Sequence, residues 1–425
     1  MKGRANTRAA KGLPIISGDR SSRLGRSRVG RAALVLAFVV LGYLGTSDSI
    51  ARVVLKADPA GAKSIAPGNG KILARYAQHV FSGAPTSKSA SLPANLARRA
   101  LLVDPTAVEA LTVLGLQAQL RGDYDQANRI FFYSSELSRR ELRPRLWGIE
   151  AAIARGDITA ALRNYDVALR TSREASKLLF PILNAALAEP RIRSSLIEIL
   201  GTNPVWKDQF IAYAATSGIE PEGAIALFKE GRGVGLYPNN NLRANLVNTL
   251  MAQNKTEKAW AYYNTFRPSA KRDRSRDSGF KLEAQTRTVF DWRPGADTRL
   301  AVGIFWERGA GLLDFSVPPS IGGELASQTQ LLPPGNYQFV SQSKGIVQPF
   351  RSKPYWSLTC EDGRELGRIV VSNSAENQGV VRGRFTVPKS CPVQILKLIA
   401  RSTDNIMGVS GQIEQAQLLP LHENY

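Results

Sequence analysis

The sequence predicts a multidomain chain in which an N-terminal transmembrane helix precedes an α-solenoid of helical hairpins and a C-terminal antiparallel β-sandwich of jelly-roll type. Three observations predict this architecture. A charge-free apolar run follows an arginine-rich leader, Gly-Asp turns recur 34 residues apart, and strand-length runs between Gly and Pro turns fill the last third. The predicted segments are a basic cytoplasmic tail (1–31), a transmembrane helix (32–49), a helical repeat domain (50–268), a charged linker (269–285) and a β-sandwich domain (286–425).

The composition fits a folded and strongly basic protein. Of the 425 residues 43% are hydrophobic, which excludes a wholly disordered or collagen-like chain. The 56 Lys and Arg residues outnumber the 35 Asp and Glu residues, and the net charge of +21 predicts anionic surroundings such as a membrane surface, a nucleic acid or an acidic polymer. Only 2 His and 2 Cys leave little material for His-dependent catalysis or zinc clusters.

The N-terminal leader is basic and precedes an apolar run. Residues 1–31 contain nine Lys or Arg residues and a single acid, Asp19, and this polar tail is predicted to be disordered. The 16 residues between Arg31 and Asp48 carry no charge. As a helix they span about 24 Å, slightly less than the roughly 30 Å of a hydrocarbon core, and snorkelling arginines cover the difference. The sequence therefore predicts one membrane span.

Three interpretations of the apolar run remain open. They are a retained anchor, a signal peptide cleaved after the small residues Gly45 and Ser47, and a buried core helix. We favour the anchor, because the cations immediately upstream make a buried helix costly. The positive-inside rule then places the N-terminus in the cytoplasm and the bulk of the chain outside it.

The middle of the chain repeats itself. Gly122-Asp123 recurs as Gly156-Asp157, an offset of 34 residues. The same offset links three further pairs: Ala118 with Ala152, Ala127 with Ala161, and Phe131 with Tyr165. In this pattern Gly ends one helix, Asp caps the next, Ala permits close helix approach and the aromatic ring fills the groove between repeats. The pattern resembles the tetratricopeptide repeat.

The resemblance implies a stack of helical pairs whose concave surface docks peptides or partner proteins. The Asn and Lys residues with which the family clamps peptide carboxylates cannot be identified in this sequence, so the resemblance implies an interaction scaffold and no particular partner. An unrelated helical bundle with a chance period is the alternative.

After the repeats, residues 269–285 are highly charged and are predicted to be an exposed connector. A basic contact strip is the functional alternative for this segment.

The last third of the chain has the texture of an antiparallel sandwich, with about eight or nine short strands. Alternation assigns one buried face to each run. The predicted core residues are Leu300, Val302, Ile304, Trp306, Trp356, Leu358, Cys360, Phe385 and Val387. Cys360 and Cys391 are the only cysteines, and outside the cytoplasm we expect them to form a disulfide. Two reduced core cysteines are the alternative.

Nothing in the sequence indicates catalysis. Glu361 and Asp362 are adjacent, so on a strand they point to opposite faces. His79 and His422 lie in different predicted domains, and the glycine cluster at 231–235 lacks the strand and helix of a phosphate-binding loop. We therefore expect a protein that is not an enzyme and that has no cofactor and no metal site.

A glycan site on the sandwich is the more specific binding hypothesis. Sugar rings stack on exposed aromatics, and arginines pair with carboxylates or phosphates. Opposite the predicted core, four residues meet that requirement: Phe305, Tyr355, Arg382 and Arg384. The alternative is that they are ordinary surface or second-layer packing residues.

As a whole, the layout resembles anchored repeat proteins of Gram-negative envelopes, some of which serve exopolysaccharide assembly and export. That resemblance implies a single-pass inner-membrane protein with a periplasmic body, envelope protein partners for the repeats, and an anionic polysaccharide for the sandwich. A nucleic-acid-binding protein and a sugar-processing enzyme are the alternatives. Against nucleic acid, the basic residues lie beside an apolar span, and aromatics do not interleave with them.

Overall fold

The structure is a computed structural model that describes residues 20–282, 287–307 and 309–421. The chain divides into two compact units, Met1–Ser172 and Arg173–Tyr425. The described part of the first unit is entirely helical. Its helices are α1 (Arg20–Val54), α2 (Pro59–Ile65), α3 (Gly70–Gly83), α4 (Leu92–Val103), α5 (Val108–Leu120), α6 (Tyr124–Leu137), α7 (Leu142–Ala154) and α8 (Ile158–Thr171).

Helix α1 begins earlier than predicted. Residues 20–31 were expected to be disordered, but they form the start of a continuous 35-residue helix. No proline occurs between Pro14 and Pro59 to interrupt it. The rest of the predicted tail, 1–19, lies outside the described residues.

The stretch Arg31–Val54 is long and apolar enough to cross a membrane and contains the predicted span at 32–49. Its large apolar side chains from Leu34 to Leu44 are 48–70% exposed. The helix is compatible with a single-pass anchor or with a signal sequence.

The C-terminal end of α1 belongs to the folded helical unit. Ala51 is fully buried and packs in a small cluster with Ala62 of α2 and Ile72 of α3. The carboxylate of Asp48 accepts hydrogen bonds from the side chains of Arg52 and Asn69. One helix therefore runs without a break from the apolar stretch into the packed helices.

The 34-residue repeat is confirmed by the helix boundaries. Helices α7 and α8 begin and end 34 residues after α5 and α6. Gly122 and Gly156 have φ values of +78° and +71°, in the left-handed region where Gly avoids a steric cost. Asp123 and Asp157 each cap the following helix, accepting from the N–H of Gln126 at 3.0 Å and from that of Ala160 at 2.9 Å. The predicted Ala and aromatic positions of both repeats are buried.

The described part of the second unit contains six α-helices and the sheets. The helices are α9 (Ala175–Ala185), α10 (Pro190–Gly201), α11 (Lys207–Thr216), α12 (Pro221–Glu230), α13 (Asn240–Ala252) and α14 (Thr256–Asn264). The glycine cluster predicted as a loop forms a 3₁₀ turn, Gly231–Val234, that ends in a left-handed Gly235.

Within the described residues, ten strands form two five-stranded antiparallel sheets in a sandwich-like arrangement. The strands are β1 (Arg293–Pro294), β2 (Ala301–Glu307), β3 (Ala310–Val317), β4 (Gly323–Gln330), β5 (Gly335–Lys344), β6 (Tyr355–Cys360), β7 (Glu365–Val370), β8 (Val380–Val387), β9 (Gln394–Ala400) and β10 (Val409–Pro420). The first sheet has the order β1-β4-β9-β6-β7, and the second has the order β2-β3-β10-β5-β8.

Side chains from both sheets meet in one core. Trp356 of β6 contacts Phe339 of β5 at 5.2 Å between ring centroids, and Phe339 contacts Phe385 of β8 at 5.9 Å. The predicted buried faces of β6 and β8 are confirmed. Trp306 is the exception, because it is 53% exposed. It lies at the end of the edge strand β2, beside the turn into β3, where alternation no longer brings a side chain over the core.

The prediction of an exposed linker is wrong at its centre. Ser275 and Arg276 are buried, and Ser275 exchanges hydrogen bonds with the backbone of Leu418. Ser278 accepts from the N–H of Ala416. Strand β3 pairs only with the first half of β10, so the second half has a free backbone edge that this segment covers.

Arg276 joins the helices to the sheets within this unit. Its guanidinium donates to the carbonyls of Phe290 and Thr329 and lies 5.4 Å from the centroid of the Trp260 ring on α14. Burial lowers the pKa of this guanidinium to about 10. Nearby, the Tyr263 hydroxyl donates to Asp291 at 2.6 Å. A charged side chain is thus held among backbone carbonyls and aromatic rings.

The predicted disulfide is confirmed. Cys360, the last residue of β6, is bonded to Cys391, which precedes β9, with 5.6 Å between their Cα atoms. The bond closes a loop of 31 residues that contains β7 and β8.

Candidate functional site

The four residues predicted as a glycan site do not form one cluster. Tyr355 lies on β6 in the first sheet, whereas Phe305, Arg382 and Arg384 lie on β2 and β8 in the second sheet. Strands β2 and β8 are the two edges of that sheet, four strand spacings or about 19 Å apart.

Tyr355 is already occupied by protein contacts. The guanidinium groups of Arg368 and Arg401 each lie 4.9 Å from the centroid of its ring. Arg368 is also paired with Glu365 through both carboxylate oxygens. A ring that contacts two cations is not a free stacking surface for a sugar, so Tyr355 reads as part of a surface cation–π cluster.

Phe305 and the two arginines are exposed as predicted. The Phe305 side chain is 56% exposed, and its ring covers the space that a side chain at Gly303 would need. Arg382 and Arg384 alternate with the core residue Phe385 and point away from the core. Neither arginine forms an ion pair with a carboxylate within residues 20–282, 287–307 and 309–421.

Between these two edges lies a surface rich in side-chain amides, which we call the glutamine face. It is the outer side of β10 and β5, and its amides are Asn336, Gln338, Gln342, Gln412, Gln415 and Gln417. All are half-buried or exposed, and they alternate with core residues such as Phe339 and Leu418. Part of the signal for this face was present in the sequence, since the spacings from Gln338 to Gln342 and from Gln415 to Gln417 are even and place each pair on one face of its strand.

Backbone register places the arginines beside the amides. Gln338 is paired with Arg384, and Val340 is paired on one side with Arg382 and on the other with Gln417. Side chains directly opposite one another in an antiparallel pair lie about 5 Å apart. The face therefore continues from the glutamines onto the guanidinium groups of Arg382 and Arg384.

A cavity of about 450 Å³ borders this face at the β-bulge between Ile413 and Gln415. Its polar lining includes Gln342, Glu414 and Asp277. The Asp277 carboxylate accepts hydrogen bonds from the N–H groups of Lys281 and Leu282, at 2.6 and 3.1 Å, and burial raises its pKa. Both Asp277 oxygens are thus used to hold the local turn.

The chemistry available on the glutamine face is hydrogen bonding and charge pairing. Primary amides supply both donors and acceptors, and guanidinium groups supply donors in a fixed planar fork. On this face one N–H of Gln412 already donates to Asp314 at 2.9 Å, and one N–H of Gln415 donates to Gln417 at 3.4 Å. Within the described residues no three His, Cys, Asp or Glu side chains form a metal-binding group. Of the two histidines considered from the sequence, His79 lies on α3, far along the chain from this face, and His422 lies outside the described residues.

Comparisons with known proteins identify no family for this chain. No protein-family model matches the sequence, and no curated protein matches it. Among solved structures, the chain is similar to the CBM22-1 xylan-binding domain of Paenibacillus barcinonensis Xyn10C, with 10% identity over 34% of this chain and 91% of that one, at a TM-score of 0.24.

Two further structures give the same level of likeness. TmCBM61 in complex with β-1,4-galactotriose has 15% identity over 31% of this chain and 88% of that one, at a TM-score of 0.22. The enzymatically active domain of tailspike protein 4 from bacteriophage CBA120 has 15% identity over 32% of this chain and 20% of that one, at a TM-score of 0.22. TM-scores this low support no argument about ligand or activity.

Proposed function

We propose that this chain is a non-enzymatic, membrane-tethered binding protein whose β-sandwich contacts an anionic glycan through the glutamine face. One observation carries the proposal: a row of outward-facing amides is continuous with Arg382 and Arg384, which have no carboxylate partner among the described residues. Sugar hydroxyls both donate and accept hydrogen bonds, as primary amides do, and a guanidinium group pairs with the carboxylate of an acidic sugar.

The extent of the face favours a chain over a single sugar. Phe305 and Arg382 are about 19 Å apart across the strands, so one ring cannot contact both. An oligosaccharide lying across the sheet can stack on Phe305 at one edge and pair with the arginines at the other.

The helical unit supplies the tether and a docking role in this proposal. We assign the apolar stretch 32–49 of α1 as a retained single-pass anchor in the inner membrane, with the bulk of the chain periplasmic, which agrees with the disulfide Cys360–Cys391. The repeats α5–α8 are assigned as tetratricopeptide-type repeats that dock an envelope protein. Polysaccharide assembly or export is the process in which such a scaffold would act.

Binding of the full-length chain in detergent micelles to immobilised acidic and neutral polysaccharides tests the glycan assignment. We expect binding to the acidic polymers, and we expect the Arg382→Gln, Arg384→Gln double variant to lose at least about tenfold in affinity. Lys389→Gln, which removes one exposed cation outside the face, is the control for a general loss of positive charge. Equal affinity of the double variant and the control contradicts the proposal.

The same incubation tests the non-enzymatic assignment, because chromatography would detect shortened glycan products. Asp277 and Glu414 border one cavity, but Asp277 is held by two backbone N–H groups, which favours a structural role. Release of oligosaccharides that depends on Asp277 or Glu414 would favour the sugar-processing alternative.

A reporter fusion tests the membrane orientation. A reporter that is active only in the periplasm, fused after residue 425, should be active. Activity of a cytoplasmic reporter at the same position refutes the anchored orientation.

A further inference from the structure

A second cavity lies among the helices of the second unit, outside the sandwich. It has a volume of about 330 Å³ and is lined by residues of α12, α13 and α14 and by the turn between α12 and α13. Three of its lining residues are cations, Lys229, Arg232 and Arg243, and two are tyrosines, Tyr237 and Tyr262. The size is at the small end of ligand pockets, which fits a ligand of one ring.

The three cations have no carboxylate partner among the residues that the structure describes. The neighbouring acids are paired elsewhere, since Glu230 binds Arg193 and Glu222 binds two lysines. The guanidinium of Arg243 lies 6.0 Å from the centroid of the Phe266 ring. Like charges that line one cavity without an anion repel one another, and a bound anion removes that repulsion.

The turn that carries Arg232 is built for close packing. A side chain at Gly231 would overlap Leu236, which is fully buried. Gly235 has φ +77°, in the left-handed region that favours Gly, and its N–H donates to the carbonyl of Arg232. The glycine cluster thus holds Arg232 and the exposed Tyr237 at opposite ends of one tight turn.

The walls of the cavity suit a ligand with an apolar ring face. The Tyr237 side chain is 60% exposed, so its ring is accessible for stacking. Tyr262 is half-buried, and burial raises the pKa of its hydroxyl to about 12, which leaves it a hydrogen-bond donor near neutral pH. The positive charges of Arg232 and Arg243 lie near enough to Tyr262 to lower its pKa, which partly offsets the effect of burial.

We propose that this cavity binds an acidic monosaccharide unit, with its carboxylate between Arg232 and Arg243 and its ring against Tyr237. The site is separate from the glutamine face and does not depend on the glycan assignment made for it. Cations alone would accept any oxyanion, and the aromatic wall together with the one-ring volume selects an anion carried on a sugar.

Calorimetric titration of the full chain in detergent with glucuronate, glucose and inorganic phosphate tests the site. We expect glucuronate to bind at least about tenfold more tightly than glucose and than phosphate. Arg243→Gln and Tyr237→Ala should each weaken glucuronate binding about tenfold, and the exposed Arg232→Gln should weaken it less. Arg191→Gln, an exposed arginine on α10 outside the cavity, should bind like the wild type.

Three results would overturn the proposal. If phosphate binds as tightly as glucuronate, the sugar ring does not contribute to recognition. If glucose binds as tightly as glucuronate, the carboxylate does not contribute. Unchanged glucuronate affinity in both Arg232→Gln and Arg243→Gln would place the ligand elsewhere. The Arg382→Gln, Arg384→Gln variant separates the two sites, because it should leave glucuronate binding at this cavity intact.

Discussion

Replacing Arg276 by Met should loosen the contact between the helices and the sheets of the second unit. The change removes the guanidinium donors from the carbonyls of Phe290 and Thr329 and the cation from the Trp260 ring. A hydrogen bond that involves a charged group contributes about 1.5–3 kcal/mol, and a desolvated cation–π contact contributes about 1–2 kcal/mol. These losses act against folding.

The burial of the charge partly offsets these losses. Lowering the pKa of Arg276 from its ordinary value of 12.5 to about 10 corresponds to about 3 kcal/mol of penalty for the charged form, which Met does not carry. We therefore expect Arg276→Met to lower the free energy of unfolding of this unit by about 2–4 kcal/mol. Arg276→Lys keeps the charge but not the planar fork, so it should also destabilise the unit.

Hydrogen exchange read by mass spectrometry resolves the effect by region. Peptides from α14 and from residues 287–292 should exchange faster in Arg276→Met, whereas peptides from α5–α8 in the first unit should not change. Arg274→Met is the control, because Arg274 lies two positions away in a half-exposed pair with Asp273 and should cost less than about 1 kcal/mol. Equal exchange in the two Met variants, or slower exchange in Arg276→Met, would refute the reasoning.

Two further predictions concern packing and covalent constraint. Gly115→Ala should destabilise the first unit by about 1–3 kcal/mol in thermal unfolding, because the new Cβ would lie 2.7 Å from the Phe131 ring. Gly83→Ala is the control, since its Cβ would enter open space at a helix end, and it should be neutral or stabilising. Equal melting temperatures for both variants would contradict this packing. Replacing Cys360 and Cys391 by Ser should lower the free energy of unfolding in urea by about 4 kcal/mol, because the disulfide closes a 31-residue loop. A reductant should lower the stability of the wild type by the same amount and leave the variant unchanged. A wild type whose stability does not respond to reductant would count against this prediction.

The helical repeats were predictable because their signals are local. The left-handed glycines at 122 and 156 and the capping aspartates that follow them act within a few residues of sequence, so the turn forms the same way in both repeats. Alternation likewise identified the buried faces of β6 and β8, since a strand in a two-layer sandwich presents one face to the core. Neither inference required knowledge of which elements are neighbours.

The candidate site could be predicted only in part, because its composition depends on contacts between segments that are distant in the sequence. The outward orientation of Phe305 and the two arginines follows from alternation, but sheet membership depends on strand pairing between distant segments. That pairing put Tyr355 on the other sheet, between Arg368 and Arg401, and brought the glutamines of β10 beside β8 through β5. The in-register row of amides and arginines exists only after this pairing.

The sequence by itself determined the apolar helix, the 34-residue hairpin repeat, the disulfide pair and the alternating faces of the strands, because each depends on spacing along the chain. Tertiary structure alone decided that Arg276 is buried and that α1 is packed at its end by Ala51. From the sequence alone, a charged residue in a polar segment is predicted to be exposed to solvent. The prediction changes only when the fold places a free strand edge and its backbone carbonyls beside that residue. Burial of such a group is set by its distant neighbours, and only the folded chain supplies them.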